Sequence, residues 1–304
     1  MSHNWSRRLF MSSTLCLTLV GGCRTTDPLI SVDEANQQLA DLEARSGARI
    51  GVCGKHVHNA DLRIAHRDTE RFAMCSSFKW MLGVFMARRI NVMADSWDRM
   101  IPITRDDLVM HSPVVETQIA RGEMSIAELC RATITTSDNA AANLLLKEFG
   151  GPTGLTYLIR EAGDRMTRLD RWEPELNEAA PGDERDTTTP GWMAWLMENL
   201  LFGRDEADND IRQVHDWMNE AETGLNRLRA GLGHIYAGDK TGTNGHNTSA
   251  DVAFGYSPLT MAGQDGPIVL ASYINTPNPM SPETDKLHAE IGRIARAALL
   301  PDRS

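Results

Sequence analysis

Strand-like runs lie at the two ends of this 304-residue chain and helical periodicity fills its middle, an order that few folds can accommodate. The first two runs, Arg49–Val57 and Leu62–His66, are joined by the turn-prone His58-Asn59-Ala60-Asp61. From about Cys75 to Asn219 helical patterns dominate, interrupted between Arg168 and Pro190 by a segment rich in Pro, Asp and Glu. After Gly224, strands return at Ala237–Thr243, Ser249–Tyr256 and, past the turn Gln264-Asp265-Gly266-Pro267, Ile268–Asn275. A helix stands at each end. Ser31 caps the first, whose apolar stripe is Val32, Ala35, Leu39 and Leu42, and Gly47 stops it. Ser281 caps the last, with Pro282 at its first position and Leu287, Ile291, Ile294 and Ala298 on its buried stripe. The fold class that follows is α+β: one antiparallel sheet built from both chain ends, flanked by helices, with an all-helical domain inserted. In residues, 29–68 and 224–304 form the α/β domain, 69–223 the all-α domain with its loop at 168–190, and 1–28 a signal region. The acidic stretch Arg204–Val214 is expected to be a solvated surface segment.

Composition narrows the partners. A net charge of -10 disfavours nucleic acid and anionic membrane surfaces, and an anionic substrate would need a local cluster of cations. Only five of the 31 basic residues are lysines, so a lysine inside a motif carries weight. Near the start, Ser6-Arg7-Arg8-Leu9-Phe10-Met11 resembles a twin-arginine export motif, and an apolar run from Met11 to Val20 follows. Val20-Gly21-Gly22-Cys23 has the form of a lipobox, which would lipidate Cys23; the alternative is ordinary signal cleavage nearby. Either way the chain is expected to be exported, as a periplasmic or membrane-anchored protein with a soluble body. Of five cysteines, Cys16 and Cys23 fall in that region. Cys53, Cys75 and Cys130 remain, an odd number without metal-ligand spacing, read as small buried apolar residues.

Three short elements carry chemistry. Ser76-Ser77-Phe78-Lys79 is an S-x-x-K run; at the start of a helix its spacing puts hydroxyl and amine on one face. A serine hydroxyl becomes a useful nucleophile only beside a proton acceptor, and a helix N-terminus offers backbone N–H groups to an oxyanion. Ser137-Asp138-Asn139 lies within the helical block, and Lys240-Thr241-Gly242-Thr243 on the first strand after it. The trio, in this order, resembles the signature of class A β-lactamases and penicillin-binding proteins. Arg171-Trp172-Glu173-Pro174-Glu175-Leu176-Asn177, followed by Asp183-Glu184-Arg185-Asp186-Thr187-Thr188, is similar to the Ω-loop of class A β-lactamases, which penicillin-binding proteins lack. The resemblance runs from about Ser31 to the C-terminus.

The resemblance implies a serine β-lactamase that opens penicillins and cephalosporins through a Ser76 acyl-enzyme and so confers antibiotic resistance. Lys79 would accept or relay protons, Ser137 would pass one to the lactam nitrogen, and Glu173 with Asn177 would hold the hydrolytic water. Whether Lys79 or Glu173 takes the first proton stays open. Lys240, Thr241 and Thr243 would receive the substrate carboxylate, Asn139 the side-chain amide, and the N–H groups of Ser76 and Thr243 the oxyanion. Arg227 would be the third cation, in place of the arginine that narrow-spectrum relatives carry where Ser249 stands. His111 would flank the cleft, where relatives have tyrosine or tryptophan. An Arg171–Asp186 ion pair would close the base of the loop, and the Glu173–Pro174 bond would be cis. No cofactor and no metal are implied, and the protein is expected to be a monomer.

Some positions depart from the pattern. Cys75 matches carbapenem-hydrolysing members, but the cysteine it would bridge is Asn244 here; Cys130 likewise meets Gly83. Extended-spectrum or carbapenem activity is left open. Among rivals, His56-x-His58 with Asp61 is close to a zinc β-lactamase pattern, though with the acid one place too far along. A penicillin-binding carboxypeptidase, or a sensor that stays acylated, would share the trio but have no use for Glu173 and Asn177.

Overall fold

The computed structural model describes residues 29–203, 209–233, 235–256 and 266–300. The twin-arginine-like run, Cys16 and Cys23 lie outside the described residues, as does the first half of the turn at Gln264.

The strands are β1 (Arg49–His56), β2 (Asn59–His66), β3 (Phe72–Ala73), β4 (Met100–Pro102), β5 (Glu123–Ser125), β6 (Thr187–Thr188), β7 (Tyr236–Thr243), β8 (Thr248–Tyr256) and β9 (Ile268–Asn275). The helices are α1 (Val32–Ser46), α2 (Trp80–Asn91), α3 (Val115–Gln118), α4 (Ile126–Thr135), α5 (Asn139–Glu148), α6 (Gly151–Glu161), α7 (Pro190–Leu201), α8 (Asn209–Asn219), α9 (Leu228–Leu232) and α10 (Pro282–Leu299). The main sheet runs β2-β1-β9-β8-β7, antiparallel throughout, so β9 from the chain's end pairs with β1 from its beginning. This is the α+β architecture expected.

Both faces of the sheet are covered, which is why its central strand reads as a nearly unbroken apolar run. Along β9, Ile268, Leu270 and Ile274 join one core with α1, α9 and α10, while Val269, Ala271 and Tyr273 join the core shared with α2, α7 and α8. Strand side chains alternate between faces, so one segment serves two cores. The caps agree with the sequence. Ser31 and Ser281 accept N–H bonds from Glu34 and Thr284, and Gly47 adopts a left-handed conformation at the end of α1.

Three expectations change. The first hairpin turns at Val57–His58, so β2 begins at Asn59 rather than Leu62: Val57 N–H bonds Pro267 O, and the ladder resumes at once with His56 opposite Asn59. The described half of the acidic stretch, from Asn209, opens α8; Ile211, Val214 and Met218 repeat at helical spacing and are buried. The strand pairs β3–β6 and β4–β5 carry two or three residues each, too few for a periodic signal.

Candidate active site

The S-x-x-K run forms a 3₁₀ turn, Cys75–Phe78, that leads into α2. Cys75, with φ of 46°, is in the left-handed region and turns the chain so that Ser76 stands half-buried at the helix entrance. Gly242 of β7 passes so close that an added Cβ would lie 2.5 Å from Met74 O, 2.8 Å from Ser77 N and 3.0 Å from Ser76 N. Only glycine permits that approach.

Ser76 and Lys79 meet on one oxygen of Glu173. The Ser76 hydroxyl donates to Glu173 Oε1 at 3.1 Å, and the fully buried Lys79 Nζ is 3.0 Å from the same atom. Lys79 also donates to Ser137 O at 2.8 Å and Asn139 Oδ1 at 2.5 Å. Burial pulls its pKa down against the attraction of Glu173. The other carboxylate oxygen, Oε2, accepts from Asn177 Nδ2 at 2.7 Å. The Glu173–Pro174 bond is cis.

Two devices hold Glu173 in place. Asn143, one turn beyond Asn139 on α5, clamps its backbone, accepting from Glu173 N at 3.0 Å and donating to Glu173 O at 2.8 Å. At the neck of the loop, the buried Asp186 carboxylate accepts from Asp170 N, Arg171 N and, at 2.6 Å, Arg171 Nε. The expected Arg171–Asp186 pair is there.

Ser137, at φ of 62°, aims its hydroxyl at both lysines: Lys240 Nζ donates at 3.1 Å and Lys79 Nζ at 3.4 Å. Asp138 makes that turn rigid by accepting from Ala141, Val114 and Val115 N–H groups. This ties α5 to the segment bearing His111, whose carbonyl accepts from Asn139 N and whose exposed ring bonds Thr136 O. Lys240 is fully buried; desolvation, reinforced by Lys79, pushes its pKa down to about 7. Thr241 donates to Thr223 at 2.7 Å. Thr243 accepts from Arg227 Nη2 at 3.1 Å, and Arg227 is held in turn by Asp285 at 2.7 Å and Ala250 O at 2.9 Å. Hydrogen bonds and the buried ion pair thus join Ser76, Lys79, Ser137, Asn139, Glu173, Asn177 and Lys240 into one network among β7, the α2 entrance, the α4–α5 turn and the Ω-loop; His111 is tied to it through its carbonyl, and Thr241, Thr243 and Arg227 follow along β7.

Asn143, Thr223 and Asp285 are the partners that sequence reasoning missed. Asn143 has a signal, its i,i+4 spacing from Asn139; the other two have none, because their contacts span sequence. Ser249, where narrow-spectrum relatives carry arginine, is buried and bonded to His288 at 3.0 Å. Cys53, Cys75 and Cys130 are free and buried, and burial raises all three thiol pKa values. A Cβ added at Gly83 would lie 2.9 Å from Ile134, so that site is filled without a cysteine. His56 is buried, its Nδ1 accepting from His58 N. Among the described residues no group of three or more His, Cys, Asp or Glu side chains is placed to hold a metal.

A model of the β-lactamase enzyme family matches residues 34–299. β-Lactamase FAR-1 of Nocardia farcinica is 38% identical, over 97% of this chain and 96% of its own. The carbapenem-hydrolysing β-lactamase KPC of Klebsiella oxytoca is also 38% identical, over 96% and 97%. Among solved structures, an ancestral class A β-lactamase of Gram-negative bacteria superposes with a TM-score of 0.80 at 46% identity, covering 86% of this chain and 98% of that one. A β-lactamase from Xanthomonas campestris gives 0.82 at 37%, covering 88% and 99%. With its serine, lysines and Ω-loop carboxylate gathered in one cleft, the chain belongs to the β-lactamase enzyme family, as a class A serine β-lactamase.

Proposed function

We propose that this cleft hydrolyses the amide bond of penicillins and cephalosporins, conferring resistance, with the residues above in the following roles. Ser76 Oγ attacks the lactam carbonyl as its proton passes to Glu173 Oε1 or to Lys79, the two groups that meet at that oxygen. The oxyanion is taken up by the N–H groups of Ser76 and Thr243. As the C–N bond breaks, Ser137 gives its proton to the departing nitrogen and is reprotonated through Lys79, its neighbour at 3.4 Å, with the proton that Ser76 gave up, which leaves Glu173 ionised. A water held by Glu173 and Asn177 then attacks the ester, and Glu173 takes its proton and returns it to Ser76 Oγ as that group leaves. Lys240, Thr241, Thr243 and Arg227 receive the substrate carboxylate; Asn139 binds the acylamino group and His111 borders the opening. The observation that carries this is the Glu173 carboxylate, shared between Ser76 on one oxygen and Asn177 on the other. A penicillin-binding carboxypeptidase or a sensor has no use for that arrangement.

We propose further that 29–68 with 224–304, and 69–223, act as two domains around the cleft, and that the enzyme is exported and works as a monomer. Cys23 is either a lipid anchor or part of a removed signal. Among the described residues no helix is long and apolar enough to cross a membrane. The test is turnover of a chromogenic cephalosporin, expected for the wild type and absent in Ser76→Ala. Equal turnover by both proteins would refute the assignment of the nucleophile.

A further inference from the structure

Where α7 crosses the sheet face of β1 and β2, a cavity of about 400 Å³ opens that shares no residue with the catalytic cleft. Lys55 and Arg63 line it. They stand directly opposite one another in the β1–β2 ladder, so both side chains leave the same face of the sheet. Like charges in that register repel. Each is held by one carboxylate, Lys55 by Glu198 of α7 and Arg63 by Asp68. Glu198 is not part of the lining, so the cavity wall carries two cations against the single carboxylate of Asp68. Asp68 engages only Nη2 of the guanidinium, and the Arg63 side chain is 41% exposed.

The facing wall is aromatic. Trp192 and Trp195, three residues apart on α7, share one side of the helix, and their rings meet at 72° with centroids 5.4 Å apart. Trp195 is seated against Gly163, where an added Cβ would lie 3.0 Å from its ring. Both indoles are half-buried, which leaves apolar surface to be covered. Two rings at that angle form a corner: a flat ring can stack on one indole and meet the edge of the other. Met166 and Thr189, at the two ends of the Ω-loop, add to the lining. The volume is within the range of small-molecule sites, and it suits one or two fused rings.

We propose that this cavity binds a planar aromatic carboxylate. The ring system occupies the Trp192–Trp195 corner, and the carboxylate takes the free N–H groups of Arg63 beside the charge of Lys55. A guanidinium edge matches a carboxylate in two parallel hydrogen bonds, and an anion placed there also relieves the repulsion between the two opposed cations. A cationic ligand would meet Lys55 and Arg63 as like charges. A neutral aromatic keeps the stacking and forgoes the charge-assisted bond. Binding here needs no turnover, so it stands or falls separately from the hydrolase activity.

The probe is 2-naphthoate, titrated into isotope-labelled protein while the indole N–H resonances are followed by NMR; Trp192→Phe and Trp195→Phe assign the two signals. Both should shift and saturate, with a Kd of about 1 mM or tighter for a ligand of this size. Naphthalene-2-carboxamide, which keeps the rings and lacks the charge, should bind wild type about tenfold more weakly. Arg63→Gln should weaken 2-naphthoate by about tenfold as well, with its melting temperature measured alongside. The amide comparison uses wild type alone and decides the matter even if that variant does not fold. Because the catalytic cleft also attracts anions, the titration is repeated on Lys240→Ala, where the shifts of Trp192 and Trp195 should persist. An absence of saturable shifts in wild type, equal affinity for acid and amide, or loss of the shifts in folded Lys240→Ala would overturn the proposal.

Discussion

Lys240 is a fully buried ammonium whose near neighbour is another, Lys79. Its pKa falls from 10.5 to about 7, mainly through desolvation. The sign follows from linkage. Between about 7 and 10.5 the unfolded chain holds a proton that the folded one has released, so this group's contribution to stability becomes more favourable as pH rises through that window. Function runs the other way, because a substrate carboxylate is attracted only to the protonated amine. The kcat/KM profile for a penicillin should therefore decline on the alkaline side from about pH 7. Lys240→Arg, which keeps its charge, should move that limb upward by at least about one unit, since a guanidinium does not titrate there. An identical limb in the variant would assign the titration to another group.

Among the elements, β7 and the 3₁₀ turn of Ser76 must approach within backbone contact, and Gly242 makes that possible. Gly242→Ala should drive strand and turn apart by a substantial fraction of an ångström and displace both oxyanion donors. A roughly 10²-fold loss in kcat is expected, the cost of misplacing a reacting group by about 1 Å. Stopped-flow acylation rates check it, and full activity in the variant would mean that the turn yields without consequence. This element scale also shows what the sequence can and cannot tell. Ser76, Lys79, Ser137, Asn139, Lys240 and Glu173 are legible because each belongs to a short run whose internal spacing is fixed by one turn or strand. The caps at Ser31 and Ser281 are legible for the same reason. Asp285 on Arg227, Thr223 on Thr241 and Asn247 on Ala179 are not, since each pairs residues from different elements with no local pattern. The β1–β2 turn is misplaced by three residues because the bond between Val57 and Pro267 comes from a distant strand.

At the scale of the whole molecule, β9 closes the sheet by pairing with β1 on one side and β8 on the other. The helical block between the ends can thus return the chain to the same sheet with Lys240 facing Ser137. The Ω-loop crosses the remaining side of the cleft and supplies the carboxylate on which deacylation depends, whereas acylation keeps a proton acceptor in Lys79 when that carboxylate is removed, so the two steps divide between parts of the chain. Removing the loop's carboxylate tests that division directly. Glu173→Ala, mixed with benzylpenicillin and examined by intact-protein mass spectrometry, should accumulate an adduct on Ser76 equal in mass to the whole drug. Turnover should fall by roughly 10²–10⁴-fold, the usual worth of a positioned general base. The wild type should show no lasting adduct, and Ser76→Ala none at all. Normal turnover by Glu173→Ala would contradict Glu173 as the deacylation base, and a wild type that stays acylated for hours would contradict the hydrolase reading and favour a sensor or a penicillin-binding carboxypeptidase.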